Sequence, residues 1–236
     1  MPQRELMKKI GLIGGLGPES TLEYYRNIIG SFRESYEQTG FPEIVIDSLD
    51  LKNFTSLVEG GKWEAIIKLI SIRCEILRRC GAEIGAMASN TPHAVFDAIQ
   101  AKTDLPLLSI VTATCEYART LNVRSLCLLG TRFTMTSDYY QDEFDKYGTR
   151  LVTPEPGEIE RIQHILFKEI ELGIIREKSK HDLIAIIKRI KKESGVEGVV
   201  LGCTELPLIL SQKDLDIACI DPARIHVDAL IRACKT

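Results

Sequence analysis

The amino-acid sequence predicts an α/β fold with two similar, Rossmann-like parallel-sheet domains related by pseudo-symmetry. Short apolar runs alternate with amphipathic helical stretches, the pattern of parallel strands joined by crossover helices. An internal repeat divides these elements into two halves. The chain has 236 residues, of which 44% are hydrophobic, so it can bury a large core in one or two domains.

The strand and helix candidates follow one another along the chain. A continuous apolar run such as 198–201 fits a strand buried on both faces, and Pro18 is well placed in the first turn of a helix. Strands are predicted at residues 9–13, 43–49, 84–88, 107–110, 125–129, 150–152, 196–201 and 217–220. Helices are predicted at residues 19–37, 62–80, 92–101, 112–121, 134–146, 158–172, 178–194 and 222–233.

Two short motifs recur in the same order and at nearly the same shift. The run from Gly81 to Ser89 resembles the run from Gly195 to Cys203, and Ile-Gly-Leu-Ile-Gly-Gly at 10–15 resembles Leu-Cys-Leu-Leu-Gly-Thr at 126–131. We therefore predict one half at residues 1–108 with a returning helix at 221–236, and a second half at 109–220. The active site is expected in the cleft between the two halves.

Ligands of open parallel sheets bind beyond the carboxyl ends of the strands. The segments expected there are rich in small and hydroxyl residues: 14–20, 89–93, 130–134 and 202–205. Backbone amides and hydroxyls at helix starts suit a carboxylate or a phosphate. The glycine loop at 14–20 has Ser20 where a dinucleotide loop needs its third glycine, which counts against a nicotinamide dehydrogenase.

Ser89 and Cys203 stand at equivalent positions of the repeat, so the symmetry places them on opposite walls of one cleft. A thiol beside hydroxyl groups and a helix start can act as a base or a nucleophile. A buried apolar role for Cys203 is an equally good interpretation of the sequence alone.

Three motifs together resemble the aspartate/glutamate racemase family, in particular its cofactor-independent amino-acid racemases. They are Ile-Gly-Leu-Ile-Gly-Gly-Leu-Gly-Pro at 10–18, Asn-Thr-Pro-His at 90–93 and Gly-Cys-Thr-Glu-Leu-Pro at 202–207. The resemblance implies a two-base isomerase of aspartate or glutamate, with no cofactor and no metal. One thiol from each half then exchanges a proton with one face of the substrate Cα, and donors around the α-carboxylate stabilise the enediolate.

The chain departs from the family pattern at Ser89, where the family has cysteine. A hydroxyl is a far weaker acid than a thiol, whose ordinary pKa is about 8.5. Three explanations stay open: a natural asymmetric enzyme, a serine substituted for a natural cysteine, or a related lyase or isomerase that needs one thiol. His93, four residues on, does not obviously point back to Ser89.

The resemblance also implies substrate-binding residues. Asn90, Thr91, Thr131 and Thr204 are expected to bond the α-carboxylate or amino group, and Arg161 a distal carboxylate. Alternatively, Arg161 forms a surface ion pair, and Lys52 or Arg132 is the cation that binds the distal carboxylate. Glu205 either orients a catalytic base or caps a helix.

Composition excludes several other functions. A net charge of −3 and 6% aromatic residues argue against nucleic-acid binding, and no apolar run is long enough for a membrane helix. The cysteines and histidines lack metal-site spacing. The apolar run near the N-terminus is too short for a signal peptide, so mostly reduced thiols of a cytoplasmic protein are expected. The resemblance also implies a homodimer, because family members are commonly homodimers.

The competing functions are a same-fold single-cysteine isomerase, hydantoin racemase or decarboxylase, and an inactive protein that binds an acidic amino acid.

Overall fold

The structure, a computed structural model, describes residues 7–33 and 40–235. The chain divides into two compact units. The first comprises Met1–Ile110 and Ala223–Thr236, and the second comprises Val111–Pro222. Each unit contains one four-stranded parallel sheet with flanking helices, so the predicted α/β fold with two parallel sheets is confirmed.

The sheet of the first unit has the strand order β2-β1-β3-β4. Its strands are β1 (Ile10–Gly14), β2 (Ile44–Ser48), β3 (Ile84–Met87) and β4 (Leu107–Leu108). Its helices are α1 (Pro18–Phe32), α2 (Leu51–Glu59), α3 (Trp63–Arg79), a 3₁₀ turn (Thr91–Val95) and α4 (Phe96–Gln100), with α10 (Pro222–Cys234) returning at the end of the chain. The predicted first helix matches α1, except that residues 34–37 lie outside the described part.

The second unit repeats this strand order as β6-β5-β7-β8. Its strands are β5 (Ser125–Gly130), β6 (Arg150–Val152), β7 (Gly198–Gly202) and β8 (Ala218–Ile220). Its helices are α5 (Ile110–Thr120), α6 (Arg132–Thr136), α7 (Tyr139–Asp145), α8 (Pro156–Lys168) and α9 (Glu177–Ser194), with 3₁₀ turns at Ile170–Leu172, Leu206–Leu208 and Gln212–Asp214. The repeated motifs therefore fall on corresponding strands, β1 with β5 and β3 with β7.

Both faces of each sheet are covered, which explains the continuous apolar runs. Successive side chains of a strand point to opposite faces, so Ile10 and Leu12 pack with Tyr24 and Val227 while Ile13 packs with another cluster that includes Ile70. A strand buried on both sides has no polar alternation.

The helices differ from the sequence prediction in four places. The predicted helix at 92–101 begins as the 3₁₀ turn Thr91–Val95, and the predicted helix at 158–172 ends at Lys168, before a separate 3₁₀ turn at Ile170–Leu172. α2 was not predicted: it is only nine residues long, although Phe54, Leu57 and Val58 pack against the core on one face. Asp50 caps its start, and the Asp50 side chain accepts the Asn53 N–H at 2.6 Å. The predicted helix at 134–146 is two short helices, because Ser137 has extended backbone angles and Thr131 caps a separate α6. Within the described ranges, no helix combines the length and apolar character that crossing a bilayer requires.

Candidate functional site

In the first unit, the ends of β1 and β3 lie side by side. Ile13 pairs with Met87, so the loops that begin at Gly14 and Ala88 leave the sheet as neighbours. The Ser20 hydroxyl of α1 donates to the Ala88 carbonyl at 2.9 Å. Ser89 follows directly and is buried, with 7% of its surface exposed.

Gly15 shows why this loop needs glycine. Its φ is +75°, and a Cβ at this position would lie 2.1 Å from the Leu49 carbonyl oxygen. The Gly15 N–H donates to the Thr21 hydroxyl at 2.9 Å. The glycine therefore brings the loop after β1 against the loop after β2, where Lys52 stands in the first turn of α2.

The Asn-Thr-Pro-His segment forms a tight turn after β3. Asn90 is buried, Thr91 is half-buried, and the His93 N–H donates to the Asn90 carbonyl at 3.0 Å. The His93 ring reaches back to Ser89: its Nδ1 lies 2.9 Å from the Ser89 carbonyl oxygen. The sequence had left this orientation open.

In the second unit, β5 and β7 end at paired glycines. Gly130 pairs with Gly202, and a Cβ on Gly130 would lie 2.9 Å from the Gly202 carbonyl oxygen. Thr131 and Cys203 therefore follow adjacent strands, which run about 4.8 Å apart. A hydroxyl and a thiol therefore follow the carboxyl ends of the two central strands of this sheet.

Cys203 and Glu205 form a buried thiol–carboxylate pair at the end of β7. The Cys203 thiol donates to Glu205 Oε2 at 2.9 Å, and the Thr204 hydroxyl donates to the same oxygen at 3.0 Å. All three side chains are buried. Burial, together with the charge of Glu205, raises the pKa of Cys203 well above its ordinary value, so the resting group is a thiol.

Glu171 is a further acid beside this pair. It lies in the 3₁₀ turn after α8 and is partly exposed. Burial first, and then the charge of Glu205, raises its pKa to about 7. Glu171 also contributes to the raised pKa of Cys203. A thiol and two carboxylates thus share one electrostatic environment, and at least one of these acids exchanges its proton near neutral pH.

Thr131 belongs to a hydroxyl cluster with Thr134 and Tyr139. Thr131 Oγ1 accepts the Thr134 N–H at 3.2 Å and lies 3.1 Å from Thr134 Oγ1, which also accepts the Tyr139 hydroxyl at 3.2 Å. Burial raises the pKa of Tyr139, so its hydroxyl keeps its proton. Thr131, the half-buried threonine of this cluster, can donate its hydroxyl to an anion near the end of β5.

The candidate cations of the second unit already have acidic partners. Arg161 Nε and Nη2 bind Asp182 Oδ2 at 2.9 and 2.6 Å, and Arg132 pairs with Glu160. In the first unit, no ion pair to Lys52 is found among residues 7–33, 40–110 and 223–235. The role of Arg161 stays a prediction.

Several polar groups of these two loop clusters were not candidates from the sequence. They are Ser20, Thr134, Tyr139 and Glu171. Ser20 and Thr134 occur in the small-residue segments that the sequence did single out. Glu171 has no sequence signal, because its perturbed pKa arises from residues distant along the chain. In the described portion of the chain, no three His, Cys, Asp or Glu side chains are grouped to hold a metal ion.

The fold and these loops define a parallel α/β protein with a buried thiol–carboxylate pair at a strand end, an arrangement suited to proton transfer. The model of the Asp/Glu/Hydantoin racemase family matches residues 13–230, and the chain belongs to this family.

Individual relatives agree with the family assignment. The crystal structure of an aspartate racemase homologue from Pyrococcus horikoshii OT3 is 40% identical, with a TM-score of 0.85 over 98% of this chain and 100% of that chain. An aspartate racemase from Picrophilus torridus shares the fold at 21% identity and a TM-score of 0.77, over 96% and 94% of the two chains. A glutamate racemase from Koribacter versatilis is 28% identical over 168 residues, which are 67% of this chain and only 55% of that protein.

Proposed function

We propose that the protein is an amino-acid racemase that acts on aspartate or glutamate without pyridoxal phosphate. The observation that carries this proposal is the buried contact between the Cys203 thiol and the Glu205 carboxylate at the end of β7. Membership of the racemase family supports it. So do the names of relatives, which include aspartate and glutamate racemases.

Cys203 serves one face of the substrate. Its raised pKa means that it starts as a thiol and becomes a base only when its proton passes to Glu205, 2.9 Å away. The thiolate then takes the α-proton, and the protonated pair can return a proton to the same face. Glu171, whose pKa burial raises to about 7, is an acid in the same electrostatic environment that can exchange its proton with solvent.

Ser89 is proposed to serve the opposite face of the substrate Cα. A hydroxyl can deliver a proton to a carbanion but is a poor base, which predicts unequal rates for the two enantiomers. Asn90, Thr91, Thr131 and Thr204 are proposed donors to the α-carboxylate and amino group. Such donors stabilise the enediolate because an amino-acid α-proton is very weakly acidic without an electron sink.

The first prediction tests this reaction. In D₂O, without added pyridoxal phosphate, we expect the protein to exchange the α-proton of at least one enantiomer of aspartate or glutamate, followed by NMR. Ser89→Cys is expected to raise full racemisation about tenfold or more, because a thiol is the stronger acid and forms its basic anion at a far lower pH than a hydroxyl does.

The control is Ser56→Cys, which adds a thiol on the exposed face of α2 and is expected to change nothing. Absence of exchange with all four substrates, in the wild type and in Ser89→Cys, would exclude the racemase. Binding without exchange would favour the inactive binding protein. Turnover of an acid that lacks an amino group would favour the single-cysteine isomerase or decarboxylase.

The second prediction concerns the distal carboxylate. Arg161 and Lys52 are both candidates, and we expect Lys52→Gln to raise KM more, by about tenfold with kcat little changed. The reason is that Asp182 already neutralises Arg161. Steady-state kinetics of Lys52→Gln and Arg161→Gln make the comparison. A larger rise of KM in Arg161→Gln would return the role to Arg161, with Asp182 orienting its guanidinium group.

Location and assembly belong to the same proposal. We propose a cytoplasmic homodimer that binds a small acidic amino acid and needs no nucleic acid or membrane. Seven cysteines occur in the sequence, and those in the described ranges are free thiols, as a reducing compartment permits.

A further inference from the structure

Both peptide groups that flank the Ser89 Cα are held by side chains. The Ala88 carbonyl accepts the Ser20 hydroxyl at 2.9 Å, and the Ser89 carbonyl lies 2.9 Å from His93 Nδ1. The orientations of these two peptide planes set φ and ψ of Ser89, and hence the direction of its Cα–Cβ bond. Holding both carbonyls therefore fixes the position of Ser89 Cβ, to which the hydroxyl is attached.

The contacts of the His93 ring determine its tautomer. Nε2 lies 3.2 Å from the Ile110 backbone nitrogen, which can only donate, so Nε2 must be the unprotonated acceptor. Nδ1 then carries the proton and donates to the Ser89 carbonyl. Ile110 is the first residue of α5, where a backbone N–H has no partner within the helix. One neutral ring thus joins Ile110, which belongs to the first unit, to the Ser89 loop.

Packing and hydrogen bonds hold the His93 ring in one orientation. His93 has 5% of its surface exposed and stacks on Phe96 with ring centroids 5.4 Å apart. The fully buried His226 packs edge-on against it at 6.0 Å. His226 is itself fixed by the Tyr24 hydroxyl on Nδ1 at 2.9 Å and the Leu108 carbonyl on Nε2 at 3.0 Å.

The second unit has no equivalent of this ring. Pro207 occupies the repeat position that corresponds to His93, and Glu205 instead contacts the Cys203 side chain itself. The two loops thus differ in how they are supported: the thiol is coupled to a proton acceptor, whereas the serine is aimed through its backbone.

We propose that His93 is a positioning residue for Ser89: its Nδ1–H tautomer, imposed by the Ile110 N–H, aims the Ser89 hydroxyl at its face of the substrate. This inference rests on the proposed racemase function. Loss of the Nδ1–H bond should therefore slow exchange on the Ser89 face and spare exchange on the Cys203 face. A residue that merely stabilises the fold would slow both faces together.

A matched pair of variants separates the two ring nitrogens. His93→Asn keeps an amide donor near the Nδ1 position, and His93→Gln keeps an amide acceptor near the Nε2 position. The measured quantity is the ratio of the α-deuteration rates of the two enantiomers of the preferred substrate. We expect His93→Gln to change this ratio at least fivefold, with the slower rate on the Ser89 face, and His93→Asn to leave it within twofold of wild type. Ser20→Ala, which frees the other carbonyl, should change the ratio in the same direction as His93→Gln.

Two results would overturn the proposal: equal slowing of both enantiomers in His93→Gln and Ser20→Ala, or an Nε2–H tautomer of His93 in long-range ¹H–¹⁵N spectra of the wild type. These spectra are recorded on the wild-type protein, so they do not depend on whether a variant folds. If the wild-type protein exchanges neither enantiomer, the racemase function is rejected instead. The measured tautomer of His93 would then still show whether Nδ1 donates to the Ser89 carbonyl.

Discussion

Cys203→Ser is expected to lower α-proton exchange of the preferred substrate by about 10³-fold, within the usual range for a lost acid–base group. Serine preserves the size of the side chain and can still donate to Glu205, 2.9 Å from the sulfur. What it removes is a group acidic enough to pass its proton to Glu205 and act as an anion. The measurement is deuterium incorporation by NMR, alongside circular dichroism to verify folding.

Cys80→Ser provides the matched control, since Cys80 is an exposed thiol at the end of α3. It should exchange at the wild-type rate. Retention of exchange within a few-fold of wild type in Cys203→Ser would remove the thiol from the mechanism and leave Glu205 or Glu171 as the base.

Mild acid is expected to destabilise the first unit through its buried histidines. Burial, and for His93 also repulsion by His226, lowers the pKa values of His93 and His226 to about 3 and about 4. Both values lie below the unfolded pKa of about 6.5. Between about pH 6 and pH 4 the unfolded chain therefore binds protons that the folded chain does not. Each histidine then reduces the free energy of unfolding by up to about 1.4 kcal/mol per pH unit.

Urea unfolding at several pH values measures this dependence. Glu171 acts in the opposite direction in this range because its pKa is raised to about 7, so the informative quantity is a difference between variants. His226→Gln should reduce the dependence between pH 6 and pH 4 by about 1 kcal/mol per pH unit. His181→Gln makes the same substitution on an exposed site of α9 and serves as the control. Identical pH dependence in wild type and His226→Gln would show that His226 does not fold as a neutral group.

The apolar patterns of neighbouring residues predicted the strands and most helices, because such patterns can be read from the chain without knowledge of its tertiary contacts. Both repeat motifs begin with runs that are apolar on both faces, and β1, β3, β5 and β7 form from them. α2 escaped prediction because it is only nine residues long, shorter than the window of about 11 residues over which a helical pattern is recognised, although Phe54, Leu57 and Val58 share one face. The break at Ser137, where the backbone is extended, interrupts a stretch that the apolar pattern treats as one helix.

The sequence by itself determined the parallel α/β class, the repeat and the family, because all three follow from the order and spacing of residues along the chain. Only the tertiary structure decided what each polar group touches. It joined Cys203 to Glu205, engaged Arg161 with Asp182, and fixed the proton of His93 between Ser89 and Ile110. Protonation and pairing depend on burial and on partners from other elements, and the spacing of residues along the chain contains neither.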